Sequence, residues 1–290
     1  MNIQDKMLGG LFGVALGDAL GAPFEFTRAT PKLKYTGKLV TEVVKVQFRY
    51  STFIIEPGTI TDDTEMTIQL LRSIVENKGY NEDCAVKKYL EWANMKKTPM
   101  GTNTRKLMKG VTTVKDFRKR KEEIDTSEVE SNGSLMRCFP LCILNDWRES
   151  GEKDCRLTNN NNVNVECSII YLSILRYLVY EEPLLFQIKE PKVNDAIDKA
   201  LNGIIVDISV NKGWVVHALY VSIITLVNVN SFEEGMDWIY EKFPKSDTDT
   251  IMAIAGGLLG AKYGYISISN ENKTKYNIDR SFYRKTRYTY

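Results

Sequence analysis

Apolar residues at Met7, Leu8, Leu11, Phe12, Ala15, Leu16 and Ala19 recur at the spacing of one helix face, and the glycines among them allow a second helix to approach closely. The spacing predicts a buried first helix over residues 5–20. From Pro31 to Gly58 the pattern changes to β-branched and aromatic residues that end in Glu-Pro-Gly, which predicts a long loop with short strands. A second helix is predicted from Asp63 to Glu76, with Met66, Ile68, Leu70, Leu71, Ile74 and Val75 apolar behind a Thr-Asp-Asp-Thr start rich in N-cap residues. Residues 82–96 read as a helix, Thr98 to Asn103 as a break, and Thr104 to Ile124 as a charged, solvated stretch. After Asn132-Gly133-Ser134 a helix from Leu135 to Leu144 is predicted, with Pro140 early in it or kinking it. Further helices follow near 165–181, 193–207, 213–228, 232–242 and 250–263. Short connections and no internal repeat predict an all-α protein, a single compact multi-helix domain over residues 1–265, followed by a polar, basic-aromatic tail over 266–290.

Composition narrows the picture. The chain has 290 residues, with 39 Lys+Arg against 37 Asp+Glu, a formal net charge of +2 that gives no broad electrostatic grip on nucleic acid or anionic lipid. At 43% hydrophobic and 26% charged residues it can bury a sizeable core. The apolar runs Ile251 to Ala261 and Val215 to Val229 fall short of a span of about 20 apolar residues, and the N-terminus lacks the ordered regions of a signal peptide. No membrane helix and a cytoplasmic location are expected. The five cysteines are odd in number and never spaced as C-x-x-C, so neither a disulfide framework nor a zinc ribbon is suggested. The single histidine, His217, sits in an apolar helical stretch and reads as a packed or capping residue. Hydrolytic chemistry would therefore run on carboxylates, hydroxyls and metal.

Two segments carry that chemistry: Thr61-Asp62-Asp63-Thr64 and Asp247-Thr248-Asp249-Thr250, each placed before an otherwise apolar helix. Either motif alone is satisfied by helix capping, which needs one such residue. Together they bring four carboxylates to the starts of apolar helices, a costly arrangement unless hard cations neutralise them. The pair argues for one oxygen-lined, binuclear metal site. The helix after the second motif, Ile251 to Gly264, is rich in small residues and suits a central position with neighbours against its backbone. A third segment, Ser131 to Arg137, sets a small turn whose backbone N–H groups could hold an anion such as a diphosphate.

In order, Gly10-Leu-Phe-Gly-Val-Ala-Leu-Gly-Asp-Ala-Leu-Gly-Ala-Pro-Phe-Glu25-Phe, Pro57-Gly-Thr-Ile-Thr-Asp-Asp-Thr64, Asn132-Gly-Ser-Leu-Met-Arg137 and Asp247-Thr-Asp-Thr-Ile-Met-Ala-Ile-Ala-Gly256 closely resemble the ADP-ribosylglycohydrolase family, colinearly over about residues 5–265. The resemblance implies an all-α fold around a binuclear magnesium centre, with Mn²⁺ or Ca²⁺ able to substitute. It implies Thr61, Asp62, Asp63, Asp247, Asp249 and Thr250 as metal ligands, and Glu25 beside the metals. It also implies Asn132, Gly133, Ser134 and Met136 as substrate contacts, and Gly101 within the family's glycine loop as another. Three features depart from the pattern: Asn159 stands where the family usually has a His after Thr158, Ser246 replaces the usual Gly before the second metal motif, and the tail from Ile266 has no counterpart.

The function implied by the resemblance is magnesium-dependent hydrolysis of the glycosidic bond between ADP-ribose and a modified protein, or a nucleic acid, by a monomer. Asp62, Asp63 or Glu25 would accept the proton of the attacking water. The alternatives are a non-catalytic ADP-ribose-binding or crystallin-like structural member of the family, and a metal-dependent phosphoesterase. Which acceptor atom carries the ADP-ribose is left open by these motifs.

Overall fold

The computed structural model describes residues 1–25, 33–48, 51–95 and 100–274. The expected break at Thr98 and the tail from residue 275 lie outside them. Among the described residues twelve α-helices follow one another: α1 (Ile3–Gly21), α2 (Asp62–Asn77), α3 (Glu82–Met95), α4 (Thr102–Met108), α5 (Val114–Glu123), α6 (Trp147–Arg156), α7 (Asn162–Tyr180), α8 (Pro191–Leu201), α9 (Val215–Asn228), α10 (Phe232–Lys242), α11 (Thr248–Tyr263) and α12 (Asn270–Thr274). The long loop before α2 contains one antiparallel hairpin, β1 (Val44–Phe48) and β2 (Ser51–Ile55), with Val44 opposite Ile55.

The fold is organised by α1 and α11, which run against each other over most of their length. Their glycines explain the closeness. A Cβ on Gly13 would lie 2.1 Å from the carbonyl oxygen of Gly256, and one on Gly21 would lie 2.5 Å from the Cα of Asp249. No side chain fits there, so the two backbones touch at a helix-propensity cost of about 1 kcal/mol per glycine. Around this pair pack α7, α9 and α10 on α11, with α2 and the segment Phe139–Ile143 closing the other side. Leu16, Leu20, Met66, Leu70, Phe139, Leu172, Leu219, Ile254 and Leu258 belong to one continuous buried core.

Three local expectations change. The segment 135–144 is not an α-helix: it forms turns and a 3₁₀-helix over Phe139–Ile143 with Pro140 in its first turn, where proline's missing N–H is tolerated. The helix expected over 193–207 ends at Leu201, where Gly203 takes a left-handed φ of 67° and a β-branched run follows. Helix α6 was not anticipated. By length and hydropathy α1 with its extension to Phe24 and α7 would each suffice to cross a membrane, yet most of the first (83% of its apolar window) is buried in the core. Beyond residue 265, Ile268 is buried, and the amide of Ile266 donates to Asp5 Oδ1 at 3.0 Å, so residues 266–274 pack onto the body of the protein.

Candidate metal centre

Because α1 and α11 touch, the carboxylates of one helix are delivered to the N-terminus of the other. Asp18, Asp63 and Asp249 gather with carboxylate oxygens within 4.8 Å of one another, and so do Glu25, Asp247 and Asp249. Asp62 belongs to the same cluster, since its charge acts on Glu25, Asp63 and Asp247. The two acidic motifs, 185 residues apart in sequence, therefore form one site. Helix capping does not explain them: neither Thr61 before α2 nor Asp247 before α11 makes a capping bond with its side chain.

The cluster has two levels. Asp18, Asp63 and Asp249 are buried, forming a floor; Thr61, Asp62, Glu25 and Asp247 are only partly buried and form a rim. Burial, reinforced by neighbouring negative charge, disfavours ionisation of Glu25, Asp63 and Asp249. It pushes the Glu25 carboxyl up to about 9, with Asp247, Asp62 and Asp63 adding to the shift. Asp63 is raised by burial and then by Asp249, Asp18 and Asp62, and Asp249 by burial and then by Glu25, Asp247 and Asp18. Asp247 is also raised by burial, offset partly by hydrogen bonds from Asn132 and Thr250.

A divalent cation fits this donor set. Asp63 Oδ1 and Asp249 Oδ1 are buried and have no hydrogen-bond partner among the described residues. Thr61 Oγ1 has one proton but lies 2.9 Å from Asp18 Oδ1, 2.9 Å from Asp63 Oδ2 and 3.5 Å from Asp249 Oδ2. Unpaired buried carboxylate oxygens with a hydroxyl among them suit a hard cation. Thr61, Asp62, Asp63, Asp247, Asp249 and Thr250 are all at or beside this cluster.

The residues expected to contact substrate divide. Asn132 donates from Nδ2 to Asp247 Oδ2 at 2.8 Å, and its own amide donates to the Gly213 carbonyl at 2.8 Å. Gly101 donates its amide to Asp62 Oδ2 at 3.1 Å. Gly101 and Gly133 both face Thr104 Oγ1, at 3.9 and 4.0 Å from where a Cβ would stand, so two glycine segments lie side by side beside the cluster. Ser134 and Met136 are both buried: Ser134 Oγ accepts from Asn164 Nδ2 at 3.0 Å, and the Met136 carbonyl accepts from Thr67 Oγ1 at 3.3 Å. They support the turn from inside.

Asn159, the departure from the usual His, is fully buried and donates to the carbonyls of Val129 (2.8 Å) and Ser131 (3.2 Å). It ties down the segment leading into the Asn132 turn. Arg137 holds the other side of that turn, donating to the Gly133 carbonyl at 2.8 Å and pairing with Asp154 at 2.9 Å, both ionic groups buried. His217 packs edge-on against Trp214, with ring centroids 4.7 Å apart. One functional residue was missed by sequence reasoning, Asp18. Its signal was present: a lone carboxylate in an otherwise apolar, glycine-rich helix.

The fold and site thus define a helical protein built on a carboxylate cluster where two helix N-termini meet beside a glycine turn. The family model for ADP-ribosylglycohydrolase matches residues 1–281, and the chain belongs to that family. It is 32% identical over 142 residues to a protein of Acanthamoeba polyphaga mimivirus named for ADP-ribosyl glycohydrolase activity, covering 48% of this chain and 41% of that protein. It is 27% identical over 148 residues to the ADP-ribosyl-[dinitrogen reductase] glycohydrolase of Rhodospirillum rubrum, covering 49% of this chain and 45% of that one. The matches therefore span less than half the length of either relative. A solved structure titled ADP-ribosylglycohydrolase-related protein complex shares the fold, with a TM-score of 0.70 at 22% identity, over 97% of this chain and 95% of that chain.

Proposed function

We propose that this protein is a Mg²⁺-dependent hydrolase that cleaves the glycosidic bond between ADP-ribose and a modified protein. The observation that carries this reading is the convergence of both acidic motifs on one cluster that leaves Asp63 Oδ1 and Asp249 Oδ1 buried and unpaired. Thr61, Asp62, Asp63, Asp247, Asp249 and Thr250 would hold two cations, which would supply positive charge to orient hydroxyl groups of the ribose and an attacking water. Net reaction adds water across the anomeric bond: a C–O bond forms, the bond to the acceptor breaks, and the acceptor leaves with a proton.

The chain's own residues divide this work by burial. Asp63 is 1% exposed and faces Asp18 and Asp249, so proton acceptance from water falls to a rim carboxylate, Asp62 or Glu25. The Gly101 amide on Asp62 Oδ2 leaves Oδ1 of that carboxylate for the incoming proton. Gly133 and Asn132 line the opposing wall and would receive the ADP-ribose moiety. The R. rubrum relative's name supports a protein acceptor, and the near-zero net charge supports no nucleic-acid grip.

Incubating the protein with arginine-linked, serine-linked and DNA-linked ADP-ribose, and following released ADP-ribose by chromatography, tests the reading. Release from at least one protein linkage, abolished by EDTA and restored by Mg²⁺, is expected. No release from any linkage at saturating Mg²⁺, with ADP-ribose still bound, would favour the non-catalytic binding alternative.

A further inference from the structure

Asp18 lies in the last turn of α1, yet its carboxylate is spent entirely on the start of α2. Oδ1 accepts from Thr61 N at 3.1 Å and Thr61 Oγ1 at 2.9 Å; Oδ2 accepts from Thr61 N at 2.9 Å, Thr64 N at 3.1 Å and Thr64 Oγ1 at 2.5 Å. Four donor groups meet a carboxylate that offers about four lone-pair sites. Nothing remains for a cation. The bond to the Thr64 amide is the one that an N-cap side chain ordinarily accepts at the third residue of a helix, and Thr61, the residue in the cap position, does not make it. Asp18 is thus an N-cap lent by another helix.

Its place on α1 gives this cap a further consequence. A Cβ on Gly17, the preceding residue, would lie 2.0 Å from the Met252 carbonyl, and one on Gly21 would lie 2.6 Å from the Asp249 amide. Asp18 therefore sits between two points where α1 is in backbone contact with α11, and it reaches from there to α2. It also shares the single Thr61 hydroxyl proton with Asp63, since Thr61 Oγ1 lies 2.9 Å from both Asp18 Oδ1 and Asp63 Oδ2.

We propose that Asp18 is a positioning residue that sets Thr61, Asp62 and Asp63 in register with Asp247, Asp249 and Thr250, without itself binding cation. The inference rests on the cation-binding reading above. Thr64 is the partner through which it acts, and Thr64 belongs to neither ligand set.

Mn²⁺ affinity, measured by calorimetry on the full chain, tests this. Asp18→Asn, which replaces an acceptor oxygen by a donor, should weaken Mn²⁺ binding about tenfold or more. Thr64→Val, of nearly the same shape, should weaken it about threefold or more, with helical circular dichroism unchanged. Thr64→Ser, which keeps the hydroxyl, should bind as wild type does. The Asp18→Asn/Thr64→Val double variant should bind as Asp18→Asn does, within about twofold. Wild-type affinity in Thr64→Val overturns the inference even where Asp18→Asn fails to fold. Strict multiplication of the two effects, or a loss confined to Asp18→Asn as for a direct ligand, overturns it as well. A wild-type protein that binds no Mn²⁺ overturns the cation-binding reading and this inference with it, whereas normal wild-type binding with unaltered variants overturns this inference alone.

Discussion

The side-chain amide of Asn132 donates a 2.8 Å hydrogen bond to Asp247 Oδ2, linking the glycine turn to the carboxylate that opens α11. A residue of that turn thereby also orients a carboxylate of the candidate metal centre. Asn132→Ala should weaken divalent-cation binding by about 10- to 100-fold, the usual effect of removing a group that orients a ligand. Asn132→Asp should weaken it further in the cation-free protein's competition with protons, because a seventh carboxylate joins the cluster. Titration calorimetry with Mn²⁺ checks both, and unchanged affinity in Asn132→Ala would show the contact to be idle.

The raised carboxyls predict how stability varies with pH. Glu25 moves from an ordinary 4.5 to about 9 and Asp18 from 3.8 to about 6, so between those values the folded protein retains protons that the unfolded chain has released. Stability from these groups is full below about pH 4 and is lost as pH rises toward 6 for Asp18 and 9 for Glu25. Thermal unfolding in EDTA should show a melting temperature that falls over this range. Mg²⁺ should reverse much of the fall near neutrality while displacing protons. A melting temperature that rises steadily from pH 5 to 9 in EDTA would contradict this account.

Asp62→Asn and Asp249→Asn should each reduce turnover by about 10² or more with the fold retained, since catalysis is sensitive to displacements of about 1 Å. Residues acting as one unit lose less together than the product of their separate losses. The double variant should thus be little worse than the poorer single one. Single-turnover release of ADP-ribose measures all three.

His217→Ala should keep turnover within about tenfold of wild type, because burial lowers the imidazole's pKa and its ring packs on Trp214 outside the carboxylate cluster. A loss of several orders of magnitude, with normal circular dichroism, would require a histidine mechanism.

Gly13→Ala should be among the most harmful single-methyl substitutions in the chain. Its Cβ would enter the Gly256 carbonyl at 2.1 Å, both partners being backbone. Overpacking of this kind costs about 1–3 kcal/mol or more, visible as a melting temperature lower by several degrees. Gly79→Ala, where the methyl would meet nothing within 4 Å and the backbone is not left-handed, controls for loss of glycine alone.

Much of this architecture is written in apolar periodicity. Helices α1, α2, α9, α10 and α11 fall within a few residues of the spans that Leu16, Met66, Leu219, Ile239 and Ile254 predict, because each buries a continuous apolar stripe. Helix α6 escaped because its inner face is Trp147, Ser150, Gly151, Asp154 and Cys155, a surface that is buried but mostly small or polar. The purpose of Asp154 there, to pair with Arg137, is a long-range contact that no local pattern encodes. The oxygen-rich motifs stood out since each concentrates several donors, whereas Asp18 contributes one and becomes visible only when its neighbours in space are known. The inward turn of Asn159 was equally hidden: spacing locates a residue in the chain, but the direction of its side chain depends on the hydrogen bonds that the 129–131 segment needs.

The backbone contact between α1 and α11 also bears on when the centre can exist during synthesis. A ribosome-bound chain that has not yet released residues 248–263 carries Thr61, Asp62 and Asp63 without their counterparts, and α1 has exposed glycines where its partner should lie. Pairing elements so distant in sequence forms late, after the intervening helices have had time to organise. Cation capture would then report the arrival of α11, and an N-terminal fragment ending before α11 would be expected to remain metal-free and to leave uncovered the face of α1 that packs on it.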